Sequence, residues 1–507
     1  MLRKIGVLGV AAAALALAAC GSDSPTGTVS TATDRGTLVD DPPLRIASLN
    51  AADFASQLNS SSSGQQLLAL AGTPACGVDF YYIKYWTVGA GSTPAPTEVS
   101  GALMVPTGSG AQCSGARPIV LYAHGTNTDA SFNIADVTNP ANTEGAMIAA
   151  VFAAQGYIVV APNYAGYDIS NLGYHPYLNA AQNADDMMDA LTAARKALPS
   201  SFTPATTDSG ALFVTGYSEG GYVAMATDKA MQAAGETVTA TAPMSGPYAL
   251  EAFGDAVFFG NVNIGSTVFA PLITTSYQKA YGNLYVQPSD LYTAQYAGGI
   301  ESLLPSTTPL TTLFQQGSLP EAALFDSAPP STGNSLLDAI LAPPPNNPIA
   351  DAGFGKPFLI NDSYRIGYLE DALANPDGAL PTPMAGVPLA ASPENTLRQD
   401  FKLNDMRSWT PQMPMLLCGG DQDPTVYFSV NTETMAAFWS PLVAGGLISV
   451  LDLNATPGGP YAQLQGALQQ TEAQLIATEG EATAVQSFHS TEAPFCAVAA
   501  RGFFSHF

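Results

Sequence analysis

Short apolar runs separated by helical stretches constrain this chain more than any other feature of its sequence. Pro118–Ala123 (PIVLYA), Tyr157–Ala161, Ala211–Thr215, Val238–Pro243, Met413–Cys418 and Leu447–Leu453 have the length and composition of buried strands. Between them, Ala146–Gln155, Ala180–Leu198 and a stretch from about Tyr222 are rich in helix formers. A run that is apolar on both faces has no side to give to water, so helices must cover both faces of its sheet. Strands alternating with helices predict an α/β fold with a mostly parallel central sheet flanked by helices. Ahead of this rhythm, Val78–Val88 and Glu98–Val105 are β-rich and separated by a Gly/Pro/Ser turn, which predicts an antiparallel start.

From Glu251 to Leu397 the rhythm breaks. Ala342–Pro348 reads APPPNNP, and no clean strand alternation is present. The first part carries Phe253, Phe258, Phe259, Phe269, Tyr277, Tyr281, Tyr285, Tyr292 and Tyr296, about twice the aromatic density of the whole chain, so it is no solvated linker. We expect a partly helical insertion, a cap or lid over residues 251–397, dividing a core made of residues 46–250 and 398–507.

The formal charge is −25 over 507 residues, with only 11% charged residues against about 25% in ordinary soluble proteins. Such a chain cannot neutralise a row of phosphates, which excludes a basic nucleic-acid binder. A 47% hydrophobic content excludes wholesale disorder. The four histidines, His124, His175, His489 and His506, are too scattered for a histidine-rich metal site, and no metal is expected. Histidine chemistry must choose among these four.

Arg3 and Lys4 precede an uncharged apolar run, Ile5–Ala19, that ends at Cys20. The run is too short for the roughly 20 residues of a spanning helix and has the layout of an export signal. Leu17-Ala18-Ala19-Cys20 resembles the lipobox of bacterial lipoproteins, in which the cysteine becomes the lipidated first residue. The resemblance implies a signal peptide over residues 1–19, a lipidated Cys20 and a Ser/Thr/Gly/Pro tether over residues 20–45. It also implies an exported protein anchored by lipid to the cell envelope. Gly21 is not the aspartate that signals inner-membrane retention in some bacteria, which points to the outer membrane or cell surface. Removing residues 1–19 deletes two basic residues and no acidic one, leaving −27. Besides Cys20, Cys76, Cys113, Cys418 and Cys496 remain; an even number in an exported chain predicts two disulfides, with three possible connectivities.

Ala211–Thr215 runs directly into Gly216-Tyr217-Ser218-Glu219-Gly220-Gly221, after which a helix is expected. G-x-S-x-G between a strand and a helix is a nucleophile elbow. A serine at the tip of a strained turn needs small residues two positions to either side, and the turn aims the following N–H groups at a reacting carbonyl. Glu219 matters here through its N–H; its side chain is expected to face solvent.

With that motif the chain resembles the α/β-hydrolases. His124-Gly125-Thr126 after PIVLYA is similar to their oxyanion loop. APNYAGY (Ala161–Tyr167), HPYL (His175–Leu178), the helix ending in AAR (Ala193–Arg195) and LRQDFKLNDMRSW (Leu397–Trp409) resemble capped bacterial esterases and secretory lipases. The likeness covers roughly residues 75–250 and 397–495. It implies an α/β-hydrolase fold with a large inserted cap, and a triad ordered Ser, acid, His along the chain. The acid would lie after a late strand, where MPMLLCGGDQDPTV (Met413–Val426) offers Asp421 and Asp423. Strand alternation cannot separate residues two apart; the family's spacing of Gly, two residues, Asp favours Asp423. His489 falls where the family places its base, after the last strand and a long helix, whereas His506 sits where chain ends fray. His124 would shape the oxyanion loop and His175 would pack near the hinge of the cap.

The resemblance thus implies Ser218 as nucleophile, Asp423 as acid and His489 as base. The N–H of Glu219 with that of Thr126 (or Gly125) would hold the oxyanion, with no cofactor. If Asp423 and His489 meet, their two loops are neighbours, which favours Cys418–Cys496 and leaves Cys76–Cys113. The expected function is hydrolysis of an apolar or neutral carboxylic ester, since a strongly negative chain repels anionic substrates. Two alternatives stay open: a serine peptidase of the prolyl-peptidase type on the same fold, and a non-catalytic surface-binding lipoprotein.

Overall fold

A nine-stranded sheet organises the chain in a computed structural model that describes residues 34–89, 95–139, 141–201 and 206–507. The export-signal run and Cys20 lie outside the described residues. The strands are β1 (Leu44–Leu49), β2 (Gly77–Val88), β3 (Pro96–Thr107), β4 (Gly115–Ala123), β5 (Ile158–Pro162), β6 (Thr206–Tyr217), β7 (Ala240–Met244), β8 (Met415–Gly419) and β9 (Ile448–Asp452). Their order across the sheet is β1-β2-β3-β5-β4-β6-β7-β8-β9. The first three pair antiparallel with one another and β3 pairs antiparallel with β5; from β5 to β9 every pairing is parallel.

The longer helices of the core are α1 (Ala51–Leu58), α2 (Ser62–Ala71), α3 (Thr143–Val151), α4 (Ala180–Ser201) and α5 (Glu219–Ala234). In β4, Ile119 and Leu121 face a core shared with α4 and α5, while Val120 and Tyr122 face a second core shared with α1 to α3. That period-2 split explains why the run PIVLYA is apolar throughout. Every residue of β5, β7 and β8 is buried for the same reason.

The expected tether ends earlier than residue 45. Arg35 forms ion pairs with Asp185 (2.7 Å) and Asp189 (2.9 Å) of α4, and the Gly36 and Val39 N–H groups donate to the carbonyls of Trp86 and Lys84 on β2. β1 then adds an edge strand that sequence reading missed. Its six residues are mostly exposed, so the apolar signal that marks the inner strands is absent. Helix α5 starts at Glu219, three residues before the expected Tyr222, because β6 continues to Tyr217 and the turn is a single residue.

Residues between β7 and β8, which are neighbours in the sheet, form the insertion. It contains α6 (Leu250–Phe258), α7 (Ser266–Tyr281), α8 (Asp362–Ala374) and α9 (Thr396–Asn404), plus a two-residue ladder of Phe325–Asp326 with Phe354–Gly355. Its aromatic residues Tyr277, Tyr292 and Tyr296 are buried in the same core as α4 and α5. The motif LRQDFKLNDMRSW closes the insertion with two fully buried cations. Arg398 holds Asp255 of α6 and Asp371 of α8, each at 2.9 Å, and Arg407 holds Asp377 at 2.7 Å and Asp405 at 2.8 Å. Buried cations of this kind are tolerated only when paired on several sides.

The last helices are α10 (Ala462–Glu479) and α11 (Glu481–Phe504). Cys418 of β8 is bonded to Cys496 of α11, and Cys76 before β2 to Cys113 before β4. Among the described residues no helix is long and apolar enough to cross a membrane.

Burial lifts several carboxyl groups well above their ordinary range. Glu144, Asp186 and Asp228 rise to about 7, Asp189 and Asp400 to about 6, and Glu251 to about 8. The folded chain therefore keeps protons that the unfolded chain releases near pH 4. Stability from this source is whole below pH 4 and is lost as pH climbs through 6 to 8. Melting temperature measured at constant ionic strength should fall between pH 5 and 8.5; a rise over that interval would contradict the assignment.

Candidate active site

Ser218 stands alone between β6 and α5 with φ 61° and ψ −123°, a conformation L-residues avoid. Its N–H donates to the Met244 carbonyl at 2.9 Å, which pins the turn to β7. A Cβ on Gly216 would stand 2.3 Å from the Gly220 carbonyl oxygen, and one on Gly220 would stand 2.0 Å from that of Ala123. The G-x-S-x-G spacing is thus a consequence of backbone crowding around the serine.

Ser218 Oγ lies 2.8 Å from His489 Nε2, and His489 Nδ1 lies 2.6 Å from Asp423 Oδ2. The other Asp423 oxygen accepts the Thr425 N–H at 2.8 Å and the Val426 N–H at 3.2 Å. One carboxylate oxygen is consumed by the turn, and the second is left for the imidazole. Because the carboxylate can only accept, Nδ1 carries the proton and Nε2 is free to accept from the serine. Asp421 is exposed and is not brought to His489; the chain turns after Gly419, so the two aspartates no longer share a strand's direction. His489 is on α11, nine residues into the helix, and not in a loop as expected. His506 is exposed beyond the end of that helix, away from Ser218.

Among the described residues, the Glu219 and Thr126 backbone N–H groups have no acceptor. The Gly125 N–H does: it donates to Glu144 Oε1 at 3.0 Å, and the other Glu144 oxygen is 3.3 Å away. Gly125 is therefore not free to serve an oxyanion, and Thr126 is the donor the loop leaves open. Glu144, whose Oε1 also accepts the Tyr122 hydroxyl at 2.8 Å, holds the loop from below. His124 is buried, stacks on Tyr164 at 4.0 Å and faces the carbonyls of Gly125 and Asn163. Burial keeps its pKa below the ordinary histidine value.

The Glu219 side chain does not face solvent. It is fully buried, with Oε1 2.5 Å from His175 Nε2, while His175 Nδ1 lies 3.0 Å from the Ala165 carbonyl. The HPYL segment thus runs under the nucleophile turn and gives the buried Glu219 carboxyl a hydrogen-bond partner there. Sequence reasoning also missed Glu492, which follows His489 by three residues on α11 and is fully buried. Its only sequence signal is an acid at helical spacing from a histidine on a largely apolar helix.

A cavity of about 850 Å³, its open mouth included, opens at Ser218 and Glu219. Leu250, Phe253, Val257, Phe269, Ile273 and Phe401 from the insertion form much of its wall, with Tyr177 and Leu178 from the core. Among the described residues, none that is charged lines it other than Glu219.

A family model described as the prolyl oligopeptidase family matches residues 145–251, the stretch that carries the nucleophile turn. Among solved structures, the rice cell wall degrading esterase LipA from Xanthomonas oryzae is 25% identical, with a TM-score of 0.65 over 92% of this chain and 98% of that one. A candidate hydrolase from Legionella pneumophila is 17% identical, with a TM-score of 0.61 over 92% of this chain and 97% of that one. No curated protein matches significantly. The chain is an α/β-hydrolase resembling esterases. Within that class it is a serine hydrolase.

Proposed function

We propose that the protein hydrolyses carboxylic esters with an apolar acyl or alcohol part through an acyl-enzyme intermediate. The observation that carries this reading is the Ser218–His489–Asp423 hydrogen-bond chain at the mouth of an apolar cavity. His489 takes the Ser218 proton as Oγ attacks the ester carbon, and Asp423 holds the imidazole tautomer and stabilises its charge. The N–H groups of Glu219 and Thr126 receive the developing oxyanion. His489 then returns the proton to the leaving alcohol, and water, activated by the same imidazole, releases the acid. No step calls for a metal or an organic cofactor.

The match to the prolyl oligopeptidase model favours peptidase activity as a second reading. The cavity wall weighs against it: an extended peptide would bury N–H and C=O groups against Leu, Phe and Val, which offer no partners. We also infer export with a lipid anchor at Cys20, supported by the two disulfides and by the signal-like start of the chain. Mass spectrometry of the Cys20 peptide would show the acyl chains or their lack.

The central test is a series of p-nitrophenyl esters of graded acyl length beside prolyl amides, with wild type and Ser218→Ala. Wild type should turn over esters and not amides, and Ser218→Ala should lose about 10³-fold or more. Ester turnover that survives Ser218→Ala would defeat the nucleophile assignment. Amide turnover without ester turnover would select the peptidase, and inactivity on both would select a binding protein.

A further inference from the structure

Glu492 is buried where a charge is hardest to keep. One oxygen of its carboxyl, one of the Asp423 carboxylate and a ring nitrogen of His489 lie within 4.8 Å of one another. Oε1 meets two hydroxyls, that of Tyr217 at the end of β6 (2.9 Å) and that of Ser245 just beyond β7. The Tyr217 hydroxyl also reaches the His489 carbonyl, so its single proton has a competing acceptor. Among the described residues no N–H or O–H donor reaches Oε2. That oxygen is wedged against the turn carrying Asp423, where a Cβ on Gly420 would stand 2.7 Å from it.

The carboxyl that comes within 4.8 Å of the Glu492 carboxyl is that of Asp423. Two carboxylates are both acceptors, so this contact closes only with a proton between them. Asp423 already holds two backbone N–H groups and the imidazole, whereas Glu492 holds hydroxyls alone. The negative charge therefore settles on Asp423 and the proton on Glu492. Burial and the Asp423 charge push the Glu492 carboxyl well above the usual range. The other titratable groups facing it are Tyr217 from β6, Tyr248 beyond β7 and His489 on its own helix.

We propose that Glu492 is a positioning residue that stays a neutral carboxylic acid and donates a hydrogen bond to Asp423, fixing it opposite His489 without adding a second charge. This rests on the catalytic reading of Ser218, His489 and Asp423. A charged Glu492 would raise the basicity of His489 and keep it protonated into the neutral range, where a general base must be free.

The test uses the full chain with Glu492→Gln and Glu492→Leu, following kcat, KM and melting temperature on a p-nitrophenyl ester from pH 5 to 10. The amide keeps the shape and a donor, so Glu492→Gln should hold kcat within about threefold and the acid limb of the pH profile within about 0.3 unit. Glu492→Leu removes the donor and should lower kcat about tenfold or more at unchanged KM. An acid limb that moves down by about one unit or more in Glu492→Gln would mean a charged glutamate in the wild type and overturn the proposal. So would loss of kcat in Glu492→Gln with the limb unmoved, or wild-type kcat in Glu492→Leu. If Glu492→Leu does not fold, the Glu492→Gln limb and kcat decide alone. Activity surviving in Ser218→Ala would undo the catalytic reading itself, an outcome independent of either glutamate variant.

Discussion

Asp423→Asn is expected to lower kcat about 10⁴-fold with KM nearly unchanged. Asparagine fits the same space, and its carbonyl can still accept the Thr425 and Val426 N–H groups that now bind Oδ1. Its NH₂ then points at His489 Nδ1, which must become the acceptor. The imidazole is left with its proton on Nε2, facing Ser218, where a base needs a lone pair. The protein stays folded and binds substrate, but the serine has nothing to take its proton. Asp421→Asn should stay near wild type, because Asp421 is exposed and its backbone N–H, which donates to Asp452, is unchanged by the substitution. Steady-state kinetics of the two variants side by side decide between the aspartates. Equal losses, or the larger loss at Asp421, would reject the assignment.

The second large effect is expected from Cys418→Ser combined with Cys496→Ser. The bond spans 78 residues. Releasing it returns chain entropy to the unfolded state worth about 4 kcal/mol in the loop-closure treatment. It also unties β8, which leads to Asp423, from α11, which carries His489. Guanidinium unfolding should show a lower midpoint, and ester turnover should disappear at lower denaturant than the helical signal. The Cys76–Cys113 bond spans 37 residues and joins the approaches to β2 and β4. Its removal should cost stability of similar size without separating loss of activity from loss of structure. A Cys418–Cys496 variant that keeps wild-type activity up to its unfolding midpoint would show that the bond does not hold the site together.

The inner strands were legible because β4, β5, β7 and β8 are buried on both faces, and only continuous apolar runs satisfy that demand. The edges were harder: β9 was read as a strand but is mostly not buried, and β1 was missed because it faces solvent along much of its length and nothing in LRIASL separates it from a tether. Ser218 was legible because the crowding at Gly216 and Gly220 dictates residue types at fixed spacing. Glu219 was misread because a glutamate in a first helical turn has a local reason to face water. The partner that buries it, His175, is 44 residues away in sequence. Gly125 and Thr126 could not be told apart until Glu144, 19 residues beyond Gly125, was seen to claim the first of the two N–H groups. Glu492 went unnoticed because its partners come from β6, from beyond β7 and from the turn after β8, a convergence that no single stretch of sequence carries.

The insertion leaves the sheet after β7 and returns at its neighbour β8, and it brings its own bracing. Arg398 of α9 ties α6 and α8 together by contacts internal to the inserted residues. Ser218, Asp423 and His489 all come from outside it, whereas most of the cavity wall comes from within it. Under the proposed function, bond cleavage and choice of substrate are thus encoded in separate stretches of the gene. Recombination between related genes near the codons for residues 249 and 409 would exchange the selectivity of such an enzyme as one block, with the ion pairs of Arg398 and Arg407 intact, and leave the reacting groups as they were.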